Sequence, residues 1–157
     1  MFNGVFTQLL LAALAAILVV AAVIDVRTFT ISNRLNATVA LLAPVYWLSA
    51  ALSPWPDMVV QVAAGATVFI LLACAFYAGM MGGGDVKLAA ALALWFSPAG
   101  TVRFLVLMSL AGGVLTLGMV AWHRATKRDG RPEIPYGVAI AFGGLAILAQ
   151  RFLNQFA

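Results

Sequence analysis

The sequence predicts an all-α, polytopic membrane protein of about six transmembrane helices, the fourth of them short. Three observations carry that expectation. Of 157 residues, 64% are hydrophobic and only 9% are charged, more apolar surface than a soluble core of this length could hide. The apolar residues gather into long segments with few interruptions, and the charges fall almost wholly between them. One integral-membrane domain over residues 1–157 is the natural count.

Each element follows in order. The first segment, residues 5–24, is apolar throughout and closes on Asp25-Val26-Arg27. The second, 35–52, begins just after Ser32-Asn33, with Asn33 the expected N-cap. The third, 58–78, contains the single cysteine, Cys74. One cysteine allows neither a disulfide framework nor a cysteine zinc site, so Cys74 is read as a small lipid- or helix-facing side chain. The fourth covers only 86–96 and stops at Ser97-Pro98. At roughly 1.5 Å per residue it rises about 16 Å, half of a hydrocarbon core roughly 30 Å thick. It is therefore a half-helix, or the glycines before it also enter the membrane. Both options put Asp85 near a polar cavity, because irregular backbone at that depth needs protein or water around it. The fifth and sixth segments cover 102–122 and 137–152, and their Gly112-Gly113 and Gly143-Gly144 pairs suit close helix packing.

Orientation follows from the basic residues. The first, third and fifth connections with their flanks hold Arg27, Arg34, Lys87, Arg124, Lys127, Arg128 and Arg131, whereas the other side holds Arg103 and Arg151. Positive charge stays on the cytoplasmic side, so those odd connections are cytoplasmic and both termini lie outside. The absence of a basic stretch before the first segment argues against a cleaved signal peptide. A net charge of +4 confined to such loops does not suggest nucleic-acid binding. The acids Asp57, Asp129 and Glu133 read as ordinary loop charges.

Two acids do not. Asp25 and Asp85 stand at the ends of apolar segments on the same side, where a carboxylate is costly and points to function when a partner can be named. Asp85 ends the run Gly82-Gly83-Gly84-Asp85-Val86-Lys87. A helix corner with a capping aspartate accounts for this run without chemistry, but three consecutive glycines suggest a backbone that must approach closely or move. Lys87 either snorkels to the headgroups or tunes the carboxylate. Asp25 could be an interfacial residue paired with Arg27. Pro135-Tyr136-Gly137 is either a proline-fixed turn into the last helix or a rim near the two acids. A zinc-binding His-Glu-x-x-His pair is missing, and the sole His123 sits in a basic loop with no second ligand, so neither metal nor cofactor is expected. Among hydrolytic arrangements, two carboxylates are what the chain offers.

These motifs together resemble the prepilin peptidases, the GxGD class of intramembrane aspartyl proteases. The residues that carry the resemblance are Asp25 with Arg27, Ile31 and Asn33, the Gly82–Leu88 run, and Pro135-Tyr136-Gly137. Nearly the whole chain is covered, and the likeness is strongest to the short branch that serves tight-adherence (Flp-type) pili. Ser32 stands where many relatives have proline. The resemblance implies an aspartic endopeptidase of the bacterial inner membrane with Asp25 and Asp85 catalytic and Gly82, Gly83, Gly84 and Lys87 supporting them. Arg27, Asn33, Pro135, Tyr136 and Gly137 would form the rim or serve structure. It also implies a prepilin or pseudopilin substrate whose short basic leader is cut on the cytoplasmic side. The cysteine pairs of the methyltransferase region of long members are not present, so N-methylation is not expected. On helix-dipole grounds Asp85, which opens a helix, is the expected base, and Asp25, which closes one, the neutral acid. The competing reading is a proton-coupled transporter or pilus-assembly scaffold with the same two acids as relay sites.

Overall fold

The computed structural model describes residues 2–126 and 134–154. Lys127, Arg128, Asp129, Arg131 and Glu133, which belong to the basic-loop argument, lie outside the described residues. Helices α1 (Phe2–Thr28), α2 (Asn33–Ser49), α3 (Val59–Tyr77), α4 (Gly83–Ala93), α5 (Pro98–Ala125) and α6 (Tyr136–Leu153) make up the fold, with a short turn at Pro54–Met58 leading into α3. The described residues contain no strand. Four helical stretches are long and apolar enough to cross a membrane: Gly4–Thr28, Pro54–Tyr77, Pro98–Ala125 and Tyr136–Leu153. The other two are shorter, α2 at 17 residues with Pro44 inside it and α4 at 11.

The short helix is the centre of the packing. Val86, Leu88, Ala89, Leu92 and Ala93 of α4 are all buried, and the helix is enclosed by α2, α3 and α6. Two indoles fasten it to α2. Trp47 Nε1 donates to the Leu94 carbonyl at 2.7 Å and Trp95 Nε1 to the Val39 carbonyl at 3.0 Å, so polar groups at the end of a short buried helix find partners inside the protein. Trp95 also stacks on Tyr46 with ring centroids 5.1 Å apart. Outward faces are the reverse: Leu41, Leu48, Val114 and Leu117 are each more than 70% exposed. So much large apolar surface on every outer helix suits lipid as the solvent.

Several helix ends depart from the sequence reading. Ser32, not Asn33, caps α2, its Oγ accepting from the Leu35 N–H at 3.3 Å. Asn33 is the first helical residue, and its side chain is committed elsewhere. Asp85 is not the cap of α4 either. Gly82 is, with extended backbone (φ −72°, ψ 146°), and Asp85 lies three residues into the first turn. The left-handed glycine that ends α3 is Gly79 (φ +69°), outside the triple-glycine run. Among the glycine pairs, Gly112 faces the Tyr136 ring, Gly143 faces Phe104 and the Met108 amide, and Gly144 faces Leu18, whereas a Cβ on Gly113 would meet nothing within 4 Å. Close packing accounts for three of the four. Cys74 is exposed.

Candidate active site

Asp25 comes from the last turns of α1. It is 2% exposed although Val26 and Arg27 beside it face outward. Positions two apart point to different sides of a helix, so Asp25 turns inward and Arg27 away, and the suggested Asp25–Arg27 pair does not form. The partner of Asp25 is the start of α6. The Val138 N–H donates to Asp25 Oδ2 at 3.2 Å, and Gly137 lies against the same carboxyl. Position 137 holds glycine for a steric reason. A Cβ there would stand 2.7 Å from Asp25 Oδ2 and 2.6 Å from Ile31 Cδ1, well inside van der Waals contact. Pro135 caps the helix, so Pro135-Tyr136-Gly137 presents the amino end of α6 to a carboxylate, as helix N-termini do for anions. The dipole argument for Asp25 considered its own helix alone; the amino end of α6 acts on the same carboxyl in the opposite sense. Tyr136 braces the turn, its ring against Gly112 and its hydroxyl 3.3 Å from Thr116 Oγ1.

Asp85, in the first turn of α4, is 9% exposed. Its carboxyl bends back over the corner toward Gly82, the reach that an acid at this helical position makes to the cap residue. Gly82 itself leaves room for that reach, since a Cβ there would lie 2.8 Å from Asp85 Oδ2. Gly84 answers a different need: a Cβ would come within 2.7 Å of the Ile31 carbonyl oxygen. Gly83 packs on the Phe76 ring. Ile31, buried in the α1–α2 connection, thus touches both Gly84 beside Asp85 and Gly137 beside Asp25. One buried side chain therefore links the surroundings of the two acids.

The remaining expected residues sit one layer out. Lys87 is exposed, yet it does not only snorkel: its Nζ donates to Asn33 Oδ1 at 2.8 Å, joining α4 to the start of α2. Asn36, which sequence reasoning passed over, is 5% exposed, and its Nδ2 donates to the Gly84 carbonyl at 2.9 Å. The only hint in the sequence was an asparagine one turn inside an apolar helix. Replacing Asn36 with Ala leaves a buried carbonyl unpaired beside Asp85, a loss of about 1–3 kcal/mol, which thermal unfolding in detergent would register as a lowered midpoint. The groove beside Asn33 and Lys87 is not the polar cavity expected at Asp85: its 630 Å³ are lined mostly by apolar residues such as Val62, Phe69, Ile70 and Leu94, and neither acid lines it. The described residues hold no cluster of three potential metal ligands.

Described residues that fold into a helical bundle, with four stretches long and apolar enough to cross a membrane and two buried aspartates from separate helices, define a class, the multi-pass membrane proteins with buried acids. Comparison with known proteins narrows it. The type IV leader peptidase family matches residues 12–117, a stretch that contains Asp25 and the whole Gly82–Lys87 run, and the chain belongs to that family. It is 31% identical over 136 residues to a prepilin leader peptidase/N-methyltransferase of Pectobacterium carotovorum subsp. carotovorum. That alignment covers 84% of this chain and 48% of the relative, so the chain spans about half the relative's length. No solved structure matches.

Proposed function

We propose that this protein is a membrane-embedded aspartic endopeptidase that removes the leader peptide of prepilins or pseudopilins, with Asp25 and Asp85 as its catalytic pair. The observation that supports the reading is that Ile31 packs against both Gly84, beside Asp85, and Gly137, beside Asp25, with each buried carboxyl against the first turn of a different helix. In this reading the two buried acids approach closely enough that both cannot ionise, so they hold one proton between them. The ionised member takes a proton from a water that attacks the scissile carbonyl. The protonated member donates a hydrogen bond to the carbonyl oxygen and then a proton to the leaving amine. Both carboxyls lie at the amino end of a helix, Asp85 on α4 and Asp25 against α6, and that end favours the anion. The site thereby stabilises a single negative charge wherever it resides. Ile31 must withdraw for a peptide to reach the pair, and the small residues at 84 and 137 let it slide.

The reading carries a topology. Six helices lie in the bacterial inner membrane, with α4 reaching only part of the way across. Arg27, Arg34, Lys87 and Arg124 mark the cytoplasmic side, both termini lie outside, and the two acids face the cytoplasm. Lys87 and Asn33 hold the α4 corner in register, and Arg27 anchors the end of α1 at the headgroups. The substrate class is that of the short branch serving tight-adherence pili. Co-expression with a candidate prepilin tests the proposal by the mobility shift on leader loss. Cleavage is expected with the unaltered chain and not with Asp25→Ala or Asp85→Ala. Leader removal that persists in either variant would sink the protease reading and leave a proton relay as the role of the pair.

A further inference from the structure

The end of the bundle away from the acids contains a second polar site. α2 and α6 finish there and α3 and α5 begin there, and because α4 stops at Ala93 the space beneath it is not filled by helix. A cavity of about 480 Å³ occupies that space. Tyr46, Trp95 and Phe96 form its buried apolar floor, and Gln61, Arg103 and Arg151 form its polar wall.

Three features of this wall ask for an anion. Arg103 and Arg151 are the two basic residues that the sequence assigns to this side, and they come from different helices to one cavity. Simple topology anchors have no reason to converge. No acid lines the cavity to neutralise them; Asp57, on the nearby turn, has its carboxylate taken by the Ser53 N–H and hydroxyl at 3.0 and 2.9 Å. Ser97, Ala99 and Gly100 bring the start of the 28-residue α5 to the same wall, adding the positive end of a helix dipole. The fourth feature is independent of charge. Gln61 is only 7% exposed and its Oε1 has no hydrogen-bond partner, although buried amides are nearly always satisfied. Gln61 is among the residues that line the cavity, and a ligand hydroxyl that reached its Oε1 would supply the missing donor.

We propose that this cavity binds the headgroup of an anionic phospholipid from the membrane leaflet opposite the aspartate pair. The phosphodiester lies between Arg103 and Arg151, which favour phosphate as hydrogen-bonded cations, and a headgroup hydroxyl reaches the Gln61 amide. Arg151 is already fixed for this, its guanidinium 5.3 Å above the Tyr46 ring. A phospholipid fits better than free phosphate because the site opens among apolar residues such as Leu52 and Ile147, which suit the glycerol and upper acyl chains. A choline headgroup brings its own cation against two arginines and is disfavoured.

Native mass spectrometry of the full chain, released from micelles containing equal phosphatidylglycerol and phosphatidylcholine, tests this directly. The expected result is one tightly retained phosphatidylglycerol, preferred over phosphatidylcholine by about tenfold or more. Arg103→Gln with Arg151→Gln should abolish the preference, Arg103→Lys with Arg151→Lys should keep most of it, and Gln61→Leu should weaken it. Helical circular dichroism checks that each variant is folded. Equal retention of the two lipids by the unaltered protein would overturn the proposal, as would a folded double-Gln variant that keeps the preference. Displacement of phosphatidylglycerol by excess inorganic phosphate would overturn the lipid assignment in favour of a soluble anion.

Discussion

Asp25→Asn and Asp85→Asn should each reduce leader cleavage by about 10²–10⁴-fold or more while leaving the helical bundle folded. The range is that of a positioned acid or base acting in the transition state. The substitution is nearly isosteric, so packing around Ile31 is retained, and an amide can still occupy each pocket of backbone N–H groups, though less well than an anion. What is lost is proton transfer. An Asn at either position cannot abstract a proton from water, and it cannot pass one to the leaving amine. In the proposed mechanism one shared proton serves both acids, so neither variant leaves the other with a working partner. Turnover measured in detergent on a prepilin substrate, alongside the thermal midpoint, separates this chemical loss from unfolding.

Gly84→Ala and Gly137→Ala should produce the second-largest losses, and for steric reasons. At 137 the new methyl group meets Asp25 Oδ2 at 2.7 Å and Ile31 Cδ1 at 2.6 Å; at 84 it meets the Ile31 carbonyl oxygen at 2.7 Å. The clash at 84 is with backbone, which cannot rotate away, so the α1–α2 connection must shift. Overpacking of this kind costs about 1–3 kcal/mol, and a displacement of about 1 Å at a catalytic group can cost about 100-fold in rate. Gly113→Ala is the control, since nothing lies within 4 Å of its added Cβ. Cleavage rates and thermal midpoints for the three variants check the ordering. If Gly84→Ala and Gly137→Ala both turned over as fast as Gly113→Ala, Ile31 would not be the element that sets the two acids in place.

The sequence was most informative where solvent dictates structure. Lipid demands continuous apolar helices, so the expected segments fall within a few residues of α1 to α6, and the brevity of 86–96 reappears as the 11 residues of α4. The two acids were legible for the same reason, because an unpaired carboxylate among such segments needs an explanation. Contacts between distant segments were not legible. Nothing local to Asp25 shows that Val138, more than a hundred residues away, provides a hydrogen bond to it, a contribution that the dipole of its own helix does not include. Asn33 and Ser32 are both good caps, and only the backbone geometry decides for Ser32. The glycine run was read correctly as a close approach, but its partner, Ile31, comes from another helix's connection. Asn36 escaped notice because one amide in an apolar helix looks incidental until its carbonyl partner on Gly84 is seen.

That Asp25 and Asp85 operate as one proton-sharing unit is the centre of this account, and a double-variant comparison tests it most directly. Cleavage of a prepilin substrate would be measured for the purified unaltered protein, Asp25→Asn, Asp85→Asn and the variant carrying both. Groups that act as a unit are not additive, so the double variant should be no slower than the slower single variant. Losses that multiply in the double variant, or a single variant that keeps near-full turnover, would contradict the account.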